Sequence, residues 1–583
     1  VSVNSIAALA DYLSEKDPQM LDTHQVIANH YPKVANSHLF NKPISKILKY
    51  LFCEEQLNEF SNRYPHLTGF DFVEQVLSYL SFTYRVNDQQ RERIPQTGKL
   101  IIIANHPIGT LDGLVLIKCV KETRSDIKVI ANNMLMAIQP LHEILLPVSN
   151  MQGRTQKQNI LNINLHLRNE GALIVFPAGE VSRLRPNGIR DTTWQSGFLR
   201  MAKVNHCPIL PVYLDAKNSV FFYGVSMLYK PAASALLVKE MFNKKNHNMD
   251  ITIGEVIPPD AFAQLPISML EQVKLFKKHI YNIAKNKAGV FPTQKPIAMP
   301  EERRELLKAL KTQCEVLGEE VDGKTIYLYR YTTSSPIMRE LGRLREMTFR
   351  AVGEGTNQRR DIDKYDKSYY HLILWDKNDL EIAGAYRFGD VKKLLENGES
   401  VYSTTLFDYT QNMQAYFEQG LELGRSFVQQ KYWGKRSLEY LWIGIGAFLA
   451  KHPQYRYLFG PVTLSAQMPD AAVKLITAFY TYYFPDNESV ATAKTPYPIC
   501  CAATENFTHL EYKEAMVWLK SALKHMNVSL PTLYKQYAEV CENGGVKFVA
   551  FNIDPDFQNC IDGLVIVDTN MLKQKKRKRY FNC

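Results

Sequence analysis

The stretch Lys99-Leu-Ile-Ile-Ile-Ala-Asn105-His106-Pro107-Ile-Gly109-Thr-Leu-Asp112-Gly113-Leu-Val-Leu-Ile-Lys118 decides how the first half of the chain is read. Residues 100–104 are a short apolar run rich in β-branched residues, the pattern of a buried strand. A loop punctuated by Pro107 and Gly109 follows, and Asp112 opens a second apolar segment. His106 and Asp112 thus sit on a loop leaving a sheet, where α/β proteins commonly place their chemistry. An imidazole exchanges protons near neutral pH, and a carboxylate can fix its tautomer and stabilise its cation. Taken alone, the same residues also read as a helix-capping aspartate and an ordinary loop histidine.

Working outward, apolar runs recur at 127–131, 172–176 and 209–214, separated by polar helical patterns. This alternation predicts an α/β domain with a largely parallel sheet over residues 96–292. A strand near 251–256 and a helix near 268–285 extend it. Residues 1–95 read as an amphipathic helical segment. Ile44, Ile47, Leu48, Leu51 and Phe52 form one apolar face, and Val73, Val76, Leu77, Tyr79 and Leu80 a second. Such faces pack on a core or, for residues 40–53, lie on a membrane surface.

The 583 residues are too many for one core. Hydrophobic and charged fractions of 45% and 22% are those of ordinary globular protein. The formal charge of +11 favours acidic partners: anionic lipid, an acidic carrier protein or nucleic acid. No basic module interleaved with aromatics is visible, which argues against nucleic acid. Nine scattered cysteines without a C-x-x-C pair suggest neither a disulfide framework nor a zinc site, so no metal is expected. The first residues lack the pattern of a signal peptide. The longest uncharged apolar run, Tyr440 to Ala450, is too short for a bilayer, so any membrane association is expected to be peripheral.

Three prolines in Phe291-Pro-Thr-Gln-Lys-Pro296-Ile-Ala-Met-Pro300 mark a linker over 293–300. Residues 301–570 then read as a mixed α+β domain around an antiparallel sheet. It includes a hairpin over 371–388 turning at Asp376-Lys-Asn-Asp379, a strand at 421–428, a helix from about 436 to 451 and a strand at 456–464. The basic stretch 571–583 reads as a solvated tail able to meet anionic lipid.

Four blocks of the first half occur in a definite order. They are Asn105-His106-Pro107 with Asp112-Gly113, Gly153-Arg154, Phe176-Pro177-Ala178-Gly179-Glu180, and Pro208-Ile-Leu-Pro211-Val212. In this order they resemble the glycerolipid (lysophospholipid) acyltransferase family. Five residues separate His106 from Asp112, where the common family spacing has four, and Ala178 stands where many members have Glu. Both features resemble the branch acylating lyso-ornithine lipids. The resemblance implies that His106 removes a proton from the acceptor hydroxyl and that Asp112 orients it. It implies substrate-binding roles for Asn105, Gly109, Arg154, Gly179 and Glu180, although Arg154 taken alone also reads as a surface arginine. Arg183, Arg185 and Arg190 on the next loop read as a solvated face.

In the second half Arg345, Asp363, Asp366, Arg387, Glu422 and Arg425 recur in order. Each alone reads as a surface charge or a salt bridge. Glu422 and Arg425, three apart on one strand, face opposite sides unless a bulge intervenes. As a set they resemble the N-acyltransferases of the acetyltransferase-like (GNAT) superfamily, autoinducer synthases and ornithine–acyl carrier protein N-acyltransferases among them. Glu422-Leu-Gly-Arg425-Ser and Phe551-Asn-Ile-Asp554-Pro-Asp-Phe557 carry that likeness. It implies that Glu422 deprotonates an α-amine, while Arg345, Asp363, Asp366, Arg387 and Arg425 order the amine substrate. Lys431, Gly434 and Arg436 would hold phosphopantetheine. Lys431-Tyr-Trp-Gly434-Lys435-Arg436 keeps one glycine of the pyrophosphate-cradling turn, which points to an acyl carrier protein thioester rather than acyl-CoA as co-substrate.

The two halves together resemble the bacterial bifunctional ornithine-lipid synthases. This implies N-acylation of an amino acid by the second domain and O-acylation of the product's hydroxyl by the first. It also implies no bound cofactor and a cytoplasmic position, peripheral on the inner membrane. Two other readings stand beside it: an enzyme of the same chemistry with a glycine, glutamine or lysine lipid or lysophosphatidate as acceptor, and a lytic membrane-binding protein.

Overall fold

The computed structural model describes residues 53–131, 138–148, 154–186, 188–228, 236–320 and 322–581. Residues 1–52 of the expected helical segment 1–95, and so all but the last residue of the amphipathic stretch 40–53, lie outside them, as do Gly153 and the side chain of Arg154. The chain divides into two compact units, Val1–Pro296 and Ile297–Cys583. The division falls inside the proline-rich segment, which is tied down: Phe291 stacks on Phe276 at 4.3 Å, and Gln294 bridges to Val256.

Among the described residues the first unit holds nine strands: β1 (Thr83–Arg85), β2 (Leu100–Ala104), β3 (Ile127–Ala131), β4 (Leu145–Pro147), β5 (Ala172–Val175), β6 (Arg183–Arg185), β7 (Gly188–Arg190), β8 (Ile209–Asp215) and β9 (Asn248–Ile253). Seven form one sheet in the order β1-β9-β8-β2-β5-β3-β4, parallel throughout except between β8 and β9. Strand β2 is wholly buried because it lies mid-sheet with helices covering both faces, hence its unbroken apolar run. One face is covered by helices α1 (Gly69–Tyr79) and α2 (Thr110–Lys121), the other by α3 (Gly197–Val204) and α4 (Met269–Ile283). Helix α1 packs Phe72, Val73, Val76 and Leu77 into this core.

The second unit is built on an eight-stranded sheet of order β10-β11-β12-β13-β15-β16-β19-β18. Its strands are β10 (Cys314–Glu319), β11 (Lys324–Arg330), β12 (Tyr370–Asp376), β13 (Glu381–Asp390), β15 (Gly420–Val428), β16 (Tyr457–Leu464), β18 (Val546–Asp554) and β19 (Cys560–Asp568). The short β14 (Phe407–Tyr409) and β17 (Ala491–Ala493) pair apart from it. All neighbours in the main sheet are antiparallel except β15 and β16. Those two are paired only from Gly420–Glu422 to Tyr457–Phe459 and then part. At the parting point Gly460 sits where a Cβ would lie 2.0 Å from the Leu423 carbonyl oxygen. Beyond it β16 stays with β19 as far as Leu464, while β15 follows β13 to Val428. Helix α5 (Pro336–Ala351) and helix α6 (Ser437–Lys451) pack against the sheet.

The basic C-terminal stretch departs from the expected loose tail. Residues Gln574–Phe581 form a helix, α7, which docks on α6 through buried Tyr580.

Candidate active sites

In the first unit the loop after β2 carries the candidate pair, His106 and Asp112. His106 Nδ1 lies 3.0 Å from Asp112 Oδ2, a close ionic approach without hydrogen-bond alignment. Asp112 is fully buried in the first turn of α2, and Oδ2 also accepts the backbone N–H groups of Ile108 and Gly109, each at 2.9 Å. One carboxylate thus caps the turn and lies beside the His106 ring. Burial pushes its pKa up, while His106 and the two N–H groups pull it down. Gly109 takes a φ of +103°, which a side chain would strain, and this turns the loop so that Asp112 faces back on His106. The imidazole packs on the Phe176 ring at 4.6 Å and remains one-fifth exposed. With Nδ1 turned to Asp112, Nε2 is the nitrogen left for an acceptor hydroxyl.

A second carboxylate, overlooked in the sequence, holds the histidine's backbone. Buried Asp191 accepts the His106 N–H at 3.2 Å, the Ser182 hydroxyl at 2.5 Å and the Trp194 indole N–H at 2.8 Å. Lys277 on α4 donates to the carbonyls of Asp191 and Thr192, both at 2.7 Å. In sequence Asp191 follows a β-turn glycine and an arginine, and nothing there separates it from a solvated turn residue.

Asn105 departs from its expected substrate role. Its side-chain amide donates to the Leu214 carbonyl at 2.9 Å and accepts the Leu214 N–H at 2.7 Å, clamping the end of β2 to β8. Gly179 adopts a φ of +65° with open space around it, and Glu180 is one-third exposed, 3.4 Å from Arg183. Arg183 is not on a solvated face: it is buried over the Phe222 ring and donates to Ser226. Arg154 begins the helix Arg154–Arg168. A cavity of about 260 Å³ opens beside the reactive loop, with Ile108, Lys217, Lys244 and His247 in its wall.

In the second unit five of the six charged residues, all but Glu422, come together with Asp361 as one ion network. Arg345 on α5 donates to Asp366 at 2.7 Å. Arg387 donates to Asp363 at 2.6 Å and to Asp366 at 3.0 Å. Arg425 pairs with Asp361 at 3.0 Å and Asp363 at 3.3 Å. Arg345, Asp366 and Arg387 are wholly buried, so they fix the 361–367 loop instead of meeting a substrate; Asp363 stays partly exposed. Against the penalty of burial, Arg345, Arg387 and His371 hold the Asp366 carboxyl far below the usual carboxylate range.

Glu422 requires a correction. It is 1% exposed, and its carboxylate accepts the N–H groups of Tyr402 at 2.8 Å and Ser403 at 2.7 Å and the Tyr369 hydroxyl. Three donors in a dry setting leave it no free access to an amine; it anchors the 401–405 turn. The bulge allowed for in the sequence is present. β13 and β15 shift register between Ala385 and Arg387, and Arg425 takes a φ of +49°. Arg425 thereby lies 4.7 Å from the Tyr402 ring and 4.5 Å from the Phe557 ring.

On the strands beyond the parting of β15 and β16 lie Asp554, quoted from the sequence without a role, and Asp562, with Glu354 on a nearby loop. Asp562 on β19 is buried, accepts the Thr463 hydroxyl at 2.6 Å, and is pushed to about 7 by burial and by Asp554. Burial and Asp562 raise Glu354 to about 8. The Arg425 charge acts on both Asp554 and Asp562. Carboxyls that titrate near neutrality are suited to taking protons from an amine.

At the expected phosphopantetheine turn, Gly434 has a φ of +72° and open space around it. Lys431 is engaged by Asp379 and Glu381 at 2.9 and 2.7 Å, and Arg436 by Glu439 at 3.0 Å.

Comparison with known proteins agrees with this division. Residues 25–289 match the family model described as Acyltransferase, and residues 344–443 match that of the Acetyltransferase (GNAT) domain. The glycine N(alpha)-acyltransferase of Phocaeicola vulgatus is 29% identical over 272 residues, 44% of this chain and 83% of its own length. The lyso-glycine lipid O-acyltransferase of the same species is 27% identical over 222 residues, 37% of this chain and 78% of its own. The L-ornithine N(alpha)-acyltransferase of Agrobacterium fabrum is 34% identical over 113 residues, 18% of this chain and 38% of its own. The chain is an acyltransferase that joins a lipid-acyltransferase domain to a GNAT domain.

Proposed function

We propose that the chain makes a doubly acylated amino-acid lipid in two steps, one in each unit. In the GNAT unit an amino acid's α-ammonium gives a proton to the Asp562 carboxylate. The freed amine attacks the carbonyl of a 3-hydroxyacyl thioester, an amide bond forms, and the C–S bond breaks to release the thiol. In the first unit His106 Nε2 takes the proton of the 3-hydroxyl, whose oxygen attacks a second acyl thioester. The imidazolium, stabilised by Asp112, returns the proton to the departing thiolate. The thioester is carried by acyl carrier protein, and the work takes place on the cytoplasmic face of the inner membrane, where the lyso-lipid is concentrated. Among the described residues no helix is long and apolar enough to cross a membrane.

The observation carrying this reading is that relatives named for N-acylation and for lyso-lipid O-acylation each match under half of this chain yet most of their own length. Such a pattern is expected where two single-step enzymes are fused. The amino acid is of the ornithine type or glycine. Ornithine is supported by the 34% identity to the Agrobacterium enzyme, and glycine by the greater share of the relative that is matched.

The test is mass spectrometry of lipids from a bacterial host expressing the intact chain and fed labelled glycine or ornithine. A label-bearing diacyl lipid supports the proposal and names the amino acid. A host lipidome changed only in its phosphatidic acids overturns it.

A further inference from the structure

We propose that Trp433, Lys435 and the exposed basic side of α7 form the docking surface on which the GNAT unit receives an acidic carrier protein bearing the acyl-phosphopantetheine arm. This rests on the reading that the unit uses a thioester donor. The surface is assembled from segments about 140 positions apart, so no local stretch of sequence displays it. Arg436 and Arg579 converge on one carboxylate, Glu439, in the first turn of α6, at 3.0 and 2.7 Å. Tyr580 is buried against Trp442, the ring centroids 5.8 Å apart. Helix α7 can approach so closely because residue 446 is glycine: a Cβ there would lie 1.9 Å from the Tyr580 carbonyl oxygen.

Docked in this way, α7 leaves Lys575, Arg577 and Lys578 exposed, with no ion pair among the described residues. Across the same end of α6, Lys435 is exposed and Trp433 stands 49% exposed. The Trp433 indole N–H donates to the Val428 carbonyl at 2.7 Å, which fixes the ring while leaving it uncovered. A rigid, exposed tryptophan flanked in sequence by Lys431, Lys435 and Arg436 has the composition of a protein-interface anchor.

The sign of the charge demands an acidic partner. The arrangement favours a folded protein over a bilayer. A helix lying in a membrane turns its apolar face to the lipid, but the apolar side of α7 is already buried on α6 through Tyr580. Asp379, Glu381 and Glu439 also lie among the cations, giving a patterned face instead of a uniformly positive one. The open turn at Gly434 stands in the same patch, where a tethered phosphopantetheine arm would enter.

The test uses the full chain and the triple charge reversal Lys575→Glu, Arg577→Glu, Lys578→Glu, with Trp433→Ala and the milder triple change to Gln beside it. Binding of a phosphopantetheinylated bacterial acyl carrier protein is measured by calorimetric titration at low and high salt. N-acylation is measured with a 3-hydroxyacyl carrier-protein donor and with the same acyl group on N-acetylcysteamine. We expect the reversal to weaken carrier binding at least tenfold and to raise KM for the carrier-linked donor equally. The kcat and the rate with the small thioester should be unchanged, and the Gln variant should fall between. Wild-type binding should weaken steeply with salt. Unchanged carrier affinity in the reversal and in Trp433→Ala overturns the proposal. So does a loss confined to vesicles of phosphatidylglycerol, which would give the surface to the membrane. If the wild-type chain acylates nothing from either donor, the N-acyltransferase reading fails, while the titration still decides the surface.

Discussion

Asp112 Oδ2 serves three groups at once: it lies 3.0 Å from His106 Nδ1 and accepts the N–H groups of Ile108 and Gly109 at 2.9 Å. The backbone bonds fix the carboxylate beside the ring. An Asn at this position keeps the volume but loses the charge that stabilises an imidazolium, and its NH2 group would meet donors on at least one side. We expect Asp112→Asn to lower O-acylation of added lyso-lipid by about 10²- to 10⁴-fold, the usual range for general acid–base catalysis. His106→Ala should lose as much and let the monoacyl amino-acid lipid accumulate. Both are read by following the two products separately. Loss of N-acylation from either change would refute the assignment of steps to units.

The ion network around Asp366 acts on stability more than on chemistry. Arg345 and Arg387 are both buried against it, and removing one partner strands a charge in a dry site. Breaking such a pair costs about 3–5 kcal/mol. We therefore expect Arg387→Ala to lower the unfolding midpoint of the GNAT unit and to leave that of the first unit in place, as read by denaturant unfolding with fluorescence. The pH dependence follows from the same contacts. The Asp366 carboxyl is held well below its unfolded value, so its contribution is fully present above about pH 4 and is lost as the pH falls below that.

Much of this was legible beforehand, for a physical reason. Buried parallel strands read as unbroken apolar runs, so residues 100–104 and 172–175 stand out without any partner being known. The His106–Asp112 loop was legible because its contacts are local. What stayed hidden depends on partners distant in sequence. Asp191 is 85 positions from the backbone N–H it holds. The Asn105 amide is satisfied by Leu214, and its sequence neighbours do not foretell this. Five of the six charged residues of the second unit meet, but neither their burial nor the separate setting of Glu422 was legible, because charge patterns do not say which members of a network face inward. The basic tail misled because its buried anchor, Tyr580, depends on a glycine far upstream.

Glu422 illustrates the difference between a catalytic and a positioning residue. With its carboxylate bound by Tyr369, Tyr402 and Ser403, it sets the turn that brings the Tyr402 ring to Arg425. We expect Glu422→Gln to lose N-acylation together with thermal stability, since the new NH2 group faces backbone donors, and to spare esterification of added lyso-lipid. The pH profile of the residual activity should keep its wild-type shape. A profile that loses its acid limb while the protein melts normally would restore Glu422 as the base.

Asp562 makes the complementary prediction. Burial and the neighbouring Asp554 raise its carboxyl to about 7, so it holds its proton in acid and releases it near neutrality. As the acceptor of the ammonium proton, it makes N-acylation rise with pH through about 7 and then level off. Asp562→Asn should lower that rate by about 10²- to 10⁴-fold and abolish the acid limb. Stability moves the other way. Between about pH 4 and 7 the folded state retains a proton that the unfolded chain has released, so the residue's contribution falls as the pH rises across this window and is constant above it. The Asn variant should therefore gain stability relative to wild type as pH rises from 4 to 7, measured as the difference in unfolding midpoints at the two ends. An Asn variant that keeps both the wild-type rate and the acid limb removes Asp562 from the reaction and returns the search for the base to Glu354 and Asp554.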